Sequence, residues 1–248
     1  MLINQTLEKL RAMKLFGLAE AFQQQLEQHN IADLSWAERF GLLVDREWTK
    51  RENRRLQLLL KKAKFKHQAC IEDIDWSAKR GLDKAQMLSL ASCDWVRAHQ
   101  NICLVGPCGV GKSWLLCALG NAAARQGLSV QYVRTPRFFE ALKAAQADGS
   151  LARRRAKLAK IDLLLIDDWG LDQLNRNQAH DLLEVIEDRH LHRSTAIAGQ
   201  LPVEHWHSFI NSATIADAVL DRLLHNAHRI SLKGESLRKT KSQGSNQH

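Results

Sequence analysis

The front of the chain has apolar residues at helical spacing. From Asn4 to Leu26, apolar side chains recur every three or four residues, which predicts an amphipathic helix. Ser35 followed by Glu38 has the spacing of a capping box, so a second helix is predicted to begin there and to continue into the basic stretch that follows. No strand pattern occurs in this region. We therefore predict a small all-helical domain over residues 1–68.

Beyond this region the pattern changes to short apolar runs separated by helical stretches. A connection with one short helix comes first, and helices are then predicted over about 112–126, from about 136, and over about 177–189. Strands separated by helices predict an α/β domain, here residues 69–248, with a parallel sheet covered on both faces. Its polar end, from about residue 234, is predicted to be disordered. The predicted strands are 101–105, 129–133, 162–167, 195–199 and, more weakly, 229–232.

Composition adds a charge constraint. The 248 residues carry a net charge of +9, and the charge comes in blocks, which favours nucleic acid over membrane as a polyanionic partner. The five cysteines are odd in number and include no C-x-x-C pair, which argues against a disulfide framework and a zinc knuckle. There is no signal-peptide pattern, and no apolar run approaches the ~20 residues of a membrane span. We expect a cytoplasmic protein without a membrane partner.

A glycine-rich motif follows the first predicted strand directly. The stretch GPCGVGKS fits G-x-x-x-x-G-K-[ST]. Its glycines let the backbone curl with N–H groups facing a phosphate chain, at the positive end of the next helix. Lys112 is predicted to reach the β- and γ-phosphates of ATP, and Ser113 to offer its hydroxyl to Mg²⁺. The predicted nucleotide-binding residues are Gly106, Pro107, Cys108, Gly109, Val110, Gly111, Lys112, Ser113 and Trp114.

Two adjacent carboxylates end the third predicted strand, in the stretch LLLIDDWG. A P-loop ATPase needs an acidic strand end beside the phosphate loop. We expect Asp167 to associate with Mg²⁺ and Asp168 to orient and activate the attacking water. Adjacent residues of a strand point to opposite faces, so this alternation is expected to keep the two charges apart.

Several classes of P-loop protein fit these two motifs. A small-molecule kinase would need a substrate pocket for which no residues stand out, and a GTPase would need an N-K-x-D base reader, which the sequence lacks. The stretches GPCGVGKSWLLCALGNAA, LLLIDDWG, QLPVEHWH and IADAVLDRLLHNAHRISLKGESLRK together resemble the IstB family of AAA+ ATPases, the transposition helper proteins of bacterial insertion sequences. The similarity covers essentially the whole chain, and helicase loaders of the DnaC type are the next relatives.

This resemblance implies an AAA+ P-loop fold with sheet order 5-1-4-3-2 and no C-terminal lid. It also implies a homo-oligomer with ATP at the subunit interfaces. It assigns Arg222 as an arginine finger that acts on a neighbour's γ-phosphate; the alternative role is a surface ion pair with Asp221 or Asp217. It assigns Arg238 as a second phosphate sensor. Gln200 is placed to contact the water or γ-phosphate, although Gly199 before it departs from the family's small hydroxyl residue.

Two basic blocks carry the expectation of DNA binding. Residues 50–66 hold eight Lys or Arg against one acid, and residues 134–160 hold eight against two. Both are predicted to be helical and lack a base-reading pattern, so we expect largely sequence-independent contact with the backbone of double-stranded DNA. The expected DNA contacts are Lys50, Arg51, Arg54, Arg55, Lys61 and Lys62 in the first block and Arg134, Arg137, Lys143, Arg153, Arg154, Arg155 and Lys157 in the second.

Three functional hypotheses follow. The leading one is an ATPase, dependent on Mg²⁺, that oligomerises on target DNA with ATP and assists a cognate transposase. The second is a helicase loader of the DnaC type, which would share every nucleotide residue. The third is a DNA-binding protein whose ATP site is only structural.

Overall fold

A computed structural model describes residues 2–28 and 33–237. The chain packs as two compact units that meet in sequence between Leu58 and Leu59. Residues 59–68, which the apolar pattern assigned to the front domain, thus pack with the second unit. The helices of eight or more residues are α1 (Leu2–Ala12), α2 (Phe16–Glu27), α3 (Trp36–Ala63), α4 (Lys84–Ala91), α6 (Lys112–Arg125), α7 (Thr135–Ala147), α8 (Leu151–Lys160), α9 (Arg176–Arg189) and α11 (Ala213–Leu224), and the short ones are α5 (Asp94–Arg97) and α10 (Trp206–Ile210).

The first unit is helical, as predicted, but its front consists of two helices rather than one. The helix is interrupted between α1 and α2, where Lys14 adopts a left-handed backbone conformation with φ 61°. Glu47 of α3 then supplies the cap that α2 lacks, because its carboxylate accepts from the backbone N–H groups of Gly17 (2.7 Å) and Leu18 (3.1 Å). Burial raises the pKa of Glu47, but donation from Arg51 and these two amides outweighs that effect and leaves the pKa below its usual value.

The predicted capping box at the start of α3 is confirmed. The backbone N–H of Ser35 donates to the Glu38 carboxylate at 2.8 Å, and the N–H of Glu38 donates back to the Ser35 hydroxyl at 3.3 Å. Two of the helix's first N–H groups are satisfied in this way.

The second unit contains a five-stranded parallel sheet. The order β2-β3-β4-β1-β5 is the predicted 5-1-4-3-2 order viewed from the other edge. In a parallel sheet the carboxyl ends of the strands share one edge, and this places the loops after β1, β3 and β4 together. The strands are β1 (Asn101–Val105), β2 (Val130–Arg134), β3 (Leu163–Trp169), β4 (Ser194–Gly199) and β5 (Ala227–Ser231).

Side-chain alternation along β3 separates the two faces of the sheet. Leu164 and Ile166 belong to the core that the sheet forms with α7, α9 and α11. Leu165 faces α6, where it lies against Gly120. An added Cβ at Gly120 would lie 2.6 Å from both the Leu165 and Phe65 side chains, so a glycine at this position lets α6 pack closely on the strand.

After β5, residues 232–237 return to the loop that follows β1. The backbone N–H of Leu237 donates to the Gly109 carbonyl at 3.0 Å. Residues 234–237 belong to the segment predicted to be disordered, and within them Leu237 makes this backbone hydrogen bond. The rest of that predicted tail lies outside the described residues. Among the described helices, none is long and apolar enough to cross a membrane.

Two glycines inside helices give a matched test of this packing. Gly120→Ala should lower the free energy of unfolding by about 1–3 kcal/mol because the new methyl group overpacks the α6–β3 contact. Gly41→Ala in α3 has no atom within 4 Å of the added Cβ and should raise it by up to about 1 kcal/mol. Urea unfolding of both variants measures this, and equal effects would contradict the packing argument.

Candidate functional site

A cleft of about 1120 Å³ opens at the carboxyl edge of the sheet. It is bordered by the loop after β1, the ends of β3 and β4, the connection that precedes α4, and residues 234–237. All of these segments belong to the second unit. The sequence-predicted residues that line it are Cys108, Gly109, Gly111, Lys112, Ser113, Trp114, Arg134, Asp167, Asp168, Gly199 and Gln200.

The loop between β1 and α6 has the conformation of a phosphate cradle. Gly109 and Gly111 have φ of 84° and 97°, a left-handed backbone that favours glycine. The amine of Lys112 is buried and donates to the carbonyls of Gly106 (2.7 Å) and Pro107 (2.6 Å). Burial lowers the pKa of Lys112, while the nearby Cys108 thiol and the two carboxylates of β3 act in the opposite direction. Val110, also predicted here, lies in the core beneath the loop, with no exposed surface.

Asp167 is a buried carboxylate, with 1% of its surface exposed. The hydroxyl of Tyr132 on β2 donates to it at 2.7 Å, and the hydroxyl of Thr135 donates to its backbone carbonyl at 3.0 Å. Burial and this hydrogen bond raise the pKa of Tyr132, so the phenol keeps its proton and remains a donor. Sequence reasoning missed Tyr132. Its only signal was its position two residues before the end of the strand that neighbours β3.

Asp168 is separated from Asp167 by a break in the strand, which corrects the expectation of simple alternation. The pairing of β3 with β4 shifts register between Ile166 and Trp169, and Asp168 has φ 57°. The bulge leaves Asp168 partly exposed in the cleft, where it forms an ion pair with Arg134. Arg134 was predicted as a DNA contact, but the structure places it in this cleft, where its hydrogen bond to Asp168 raises its pKa.

The bulge also explains the glycine at the sensor position. Gly199 lies opposite Trp169 in the β3–β4 register, and an added Cβ would meet the Trp169 carbonyl well inside contact distance and its Cβ at 3.0 Å. No side chain fits there without moving β3. Gln200, the next residue, lines the cleft and is the first position after β4 that can present a polar side chain.

Arg222 lies near the end of α11 and does not line the cleft of its own chain. Its guanidinium pairs with Glu187 of α9 and donates to the Ala218 carbonyl at 2.8 Å. The partner is thus Glu187, not Asp221 or Asp217. Arg238, the predicted second sensor, lies outside the described residues.

The basic blocks divide into paired and solvent-facing cations. Arg155, one of the predicted DNA contacts, is three-quarters buried and pairs with Asp181 and Glu184, so it anchors α8 to α9. Arg153 and Lys157 are exposed and one helical turn apart on α8. Four of the other expected DNA contacts form ion pairs: Lys50 with Glu20, Arg51 with Glu47, Arg55 with Glu52 and Arg137 with Glu140. Arg154 is partly buried. The remaining expected contacts are exposed: Arg54, Lys61, Lys62 and Lys143.

Comparison with known proteins identifies the family. The model of the IstB-like ATP binding proteins matches residues 8–245. The chain belongs to this family. It is thus a member of an ATP-binding family and has the α/β fold of AAA+ ATPases, and its P-loop cleft is the candidate nucleotide site.

Two curated relatives of the family are close in sequence. A protein named as an insertion sequence ATP-binding protein, y4pL of Sinorhizobium fredii, is 51% identical over 96% of this chain and 98% of its own length. The corresponding protein named for insertion sequence IS1162 of Pseudomonas fluorescens is 48% identical over 82% of this chain and 88% of its own length.

Solved structures share the fold at low identity. DnaI is 19% identical, with a TM-score of 0.56 over 71% of this chain and 93% of that one. DnaA of Aquifex aeolicus with bound AMPPCP is 18% identical, with a TM-score of 0.58 over 75% of this chain and 57% of that one. These likenesses establish the fold alone.

The Tyr132–Asp167 hydrogen bond gives a test specific to this site. Tyr132→Phe leaves a buried carboxylate without its donor, so the free energy of unfolding should fall by about 1.5–3 kcal/mol without nucleotide. Added Mg²⁺ and ATP should reduce this loss, because a cation at Asp167 replaces the missing donor. Urea unfolding with and without Mg²⁺ and ATP measures both values. An equal loss in the two conditions would show that the bond does not act on the metal position.

Proposed function

We propose that this protein is a Mg²⁺-dependent ATPase that assembles on double-stranded DNA and assists a transposase. The observation that carries the proposal is the convergence of Lys112, Asp167 and Asp168 on one cleft in a member of this family. The names of the relatives place them in insertion sequences, where a transposase is the natural protein partner.

The residues present fit Mg²⁺ and ATP. Gly109 and Gly111 line the cleft with the left-handed backbone of a phosphate loop, and Lys112 supplies a buried amine. The Ser113 hydroxyl and the Asp167 carboxylate are oxygen ligands of the kind that Mg²⁺ prefers. When bound, Mg²⁺ supplies positive charge that offsets the triphosphate and Asp167. Lys112 is the first residue of α6 and lies beside the loop. Its amine can therefore exchange the two loop carbonyls for phosphate oxygens.

Asp168 is the group that we assign to water activation. Its carboxylate is partly exposed in the cleft, whereas that of Asp167 is buried and accepts from the Tyr132 hydroxyl. The ion pair with Arg134 occupies Asp168 in this state. Hydrolysis then requires Asp168 to exchange this partner, in part or in full, for the attacking water. The shorter Asp side chain, where many AAA+ ATPases have Glu, favours slow turnover.

Arg222 is assigned as an arginine finger that acts on a neighbouring subunit. Two observations support this: it is remote from the cleft of its own chain, and its guanidinium is partly exposed at the end of α11. A planar guanidinium suits the spread charge of a transferring phosphoryl group. Assembly would require it to leave Glu187 for the neighbour's γ-phosphate.

Mixing two inactive variants tests action between subunits. Lys112→Ala and Arg222→Ala should each hydrolyse ATP about a thousandfold or more slowly, by loss of a phosphate contact and of the finger. A mixture should recover activity, because an intact Arg222 on one subunit then faces an intact Lys112 site on another. Steady-state ATPase assays of each variant and the mixture decide this. A mixture no more active than its components would rule out the assignment.

The exposed face of α8 gives a test of DNA binding. Arg153→Gln and Lys157→Gln should each weaken binding to duplex DNA for all sequences alike and reduce the slope of log K against log salt by about 1. Arg155→Gln is the matched control, because its charge is already committed to Asp181 and Glu184. Fluorescence anisotropy across a salt series gives the slopes. An unchanged slope for Arg153 and Lys157 would place the DNA elsewhere.

Mass photometry with ATP and duplex DNA, each omitted in turn, tests the assembly. We expect the largest oligomer only with both present. The helicase-loader alternative instead predicts stable co-purification with a replicative helicase ring.

The third alternative, a structural ATP site, predicts that Lys112→Ala assembles on DNA like the parent protein and that the parent protein has no ATPase activity.

A further inference from the structure

Arg80 is a buried cation that none of the motifs accounts for. It lies in the turn before α4, with 5% of its surface exposed, and borders the nucleotide cleft. Its guanidinium donates from Nη1 to the Val110 carbonyl and from Nη2 to the Asp75 carbonyl, both at 3.2 Å. One side chain thus ties the phosphate loop to the connection that precedes it.

The charge of Arg80 is only weakly compensated. The Asp75 carboxylate, whose charge acts on Arg80, accepts from the backbone N–H and hydroxyl of Ser77, and the Nε atom of Arg80 has no hydrogen-bond partner among the described residues. Burial accordingly lowers the pKa of Arg80. A neutral side chain would bridge two carbonyls at less desolvation cost, so a charge kept here indicates a role beyond packing.

The guanidinium also lies against the positive end of α6. An added Cβ at Gly111, the N-cap of that helix, would be 2.8 Å from Nη1. A cation at a helix N-terminus is unfavourable unless an anion shares the site. The phosphate chain of a nucleotide is the anion for which this loop is built.

The same turn holds the segment after β5. The backbone carbonyl of Arg80 accepts from the Lys233 N–H at 2.9 Å. On either side of Lys233, the Leu232 N–H donates to the Val105 carbonyl at the end of β1, and the Leu237 N–H donates to the Gly109 carbonyl in the phosphate loop. The phosphate loop is therefore fixed on two sides, by Arg80 through Val110 and by the returning segment through Gly109.

We propose that Arg80 is a positioning residue of the nucleotide site: it holds the Val110–Gly111 turn so that the loop's N–H groups face the α- and β-phosphates. The proposal rests on the nucleotide site described above and does not depend on hydrolysis or DNA. Because ADP and ATP share the α- and β-phosphates that these N–H groups cradle, loss of Arg80 weakens both nucleotides equally. A residue acting at the γ-phosphate would affect ATP alone.

The test compares Arg80→Gln and Arg80→Lys with Arg97→Gln, a surface control whose guanidinium pairs with Asp94. Calorimetry gives the dissociation constants of ADP and ATP with Mg²⁺, and thermal unfolding verifies that each variant is folded. We expect Arg80→Gln to weaken the binding of both nucleotides roughly tenfold or more. Arg80→Lys should recover part of this affinity because it restores the positive charge on a longer side chain, and Arg97→Gln should bind normally.

Unchanged affinity in folded Arg80 variants, or a loss confined to ATP, would overturn the proposal. If Arg80→Gln does not fold, the same affinities are measured for Arg80→Lys. Amide hydrogen exchange in the phosphate loop of Arg80→Lys should then be faster than in the Arg97→Gln control. Failure of the parent protein to bind either nucleotide would instead refute the nucleotide site itself.

Discussion

Two adjacent carboxylates at the end of a buried strand must be kept apart, and the structure around the cleft follows from this constraint. Both carboxylates border the cleft, and the bulge at Asp168 gives them different surroundings, with Asp168 partly exposed and Asp167 buried. Asp167 then needs a donor, which Tyr132 provides, and Asp168 needs a cation, which Arg134 provides. Both partners belong to β2, so one strand stabilises both acids. The same strand leads directly into the helices that carry the second basic block.

The phosphate loop is shaped by protein as well as by its ligand. Its glycines admit a left-handed backbone, but Gly106 and Gly109 also lie against the segment after β5, where an added Cβ would meet Leu232 and Ser236. A side chain at either position would displace that segment before any nucleotide arrived. These glycines therefore meet two requirements: access for phosphate and close approach of a segment that is distant in sequence. The P-loop pattern predicts only the first.

The sequence predicted the features that depend on local pattern. All five strands, the Ser35–Glu38 capping box and the position of the phosphate loop are confirmed, because alternation, capping and glycine spacing are properties of neighbouring residues. Features that depend on spatial partners could not be predicted in this way. Counting charges predicted Arg134 and Arg155 as DNA contacts but could not show that Arg134 pairs with Asp168 in the cleft or that Arg155 pairs with Asp181 of α9. The position of Arg80 could not be predicted either, since its contact with Val110 depends on the phosphate loop that folds against it.

The central claim is that the bulge gives Asp167 and Asp168 different tasks. The direct measurement is Mn²⁺ binding by electron paramagnetic resonance with a non-hydrolysable ATP analogue, alongside ATP turnover, for Asp167→Asn and Asp168→Asn. The account predicts that Asp167→Asn loses Mn²⁺ affinity, while Asp168→Asn binds Mn²⁺ and nucleotide normally but turns over about a hundredfold or more slowly. Normal turnover by Asp168→Asn, or undiminished Mn²⁺ affinity in Asp167→Asn, would contradict it.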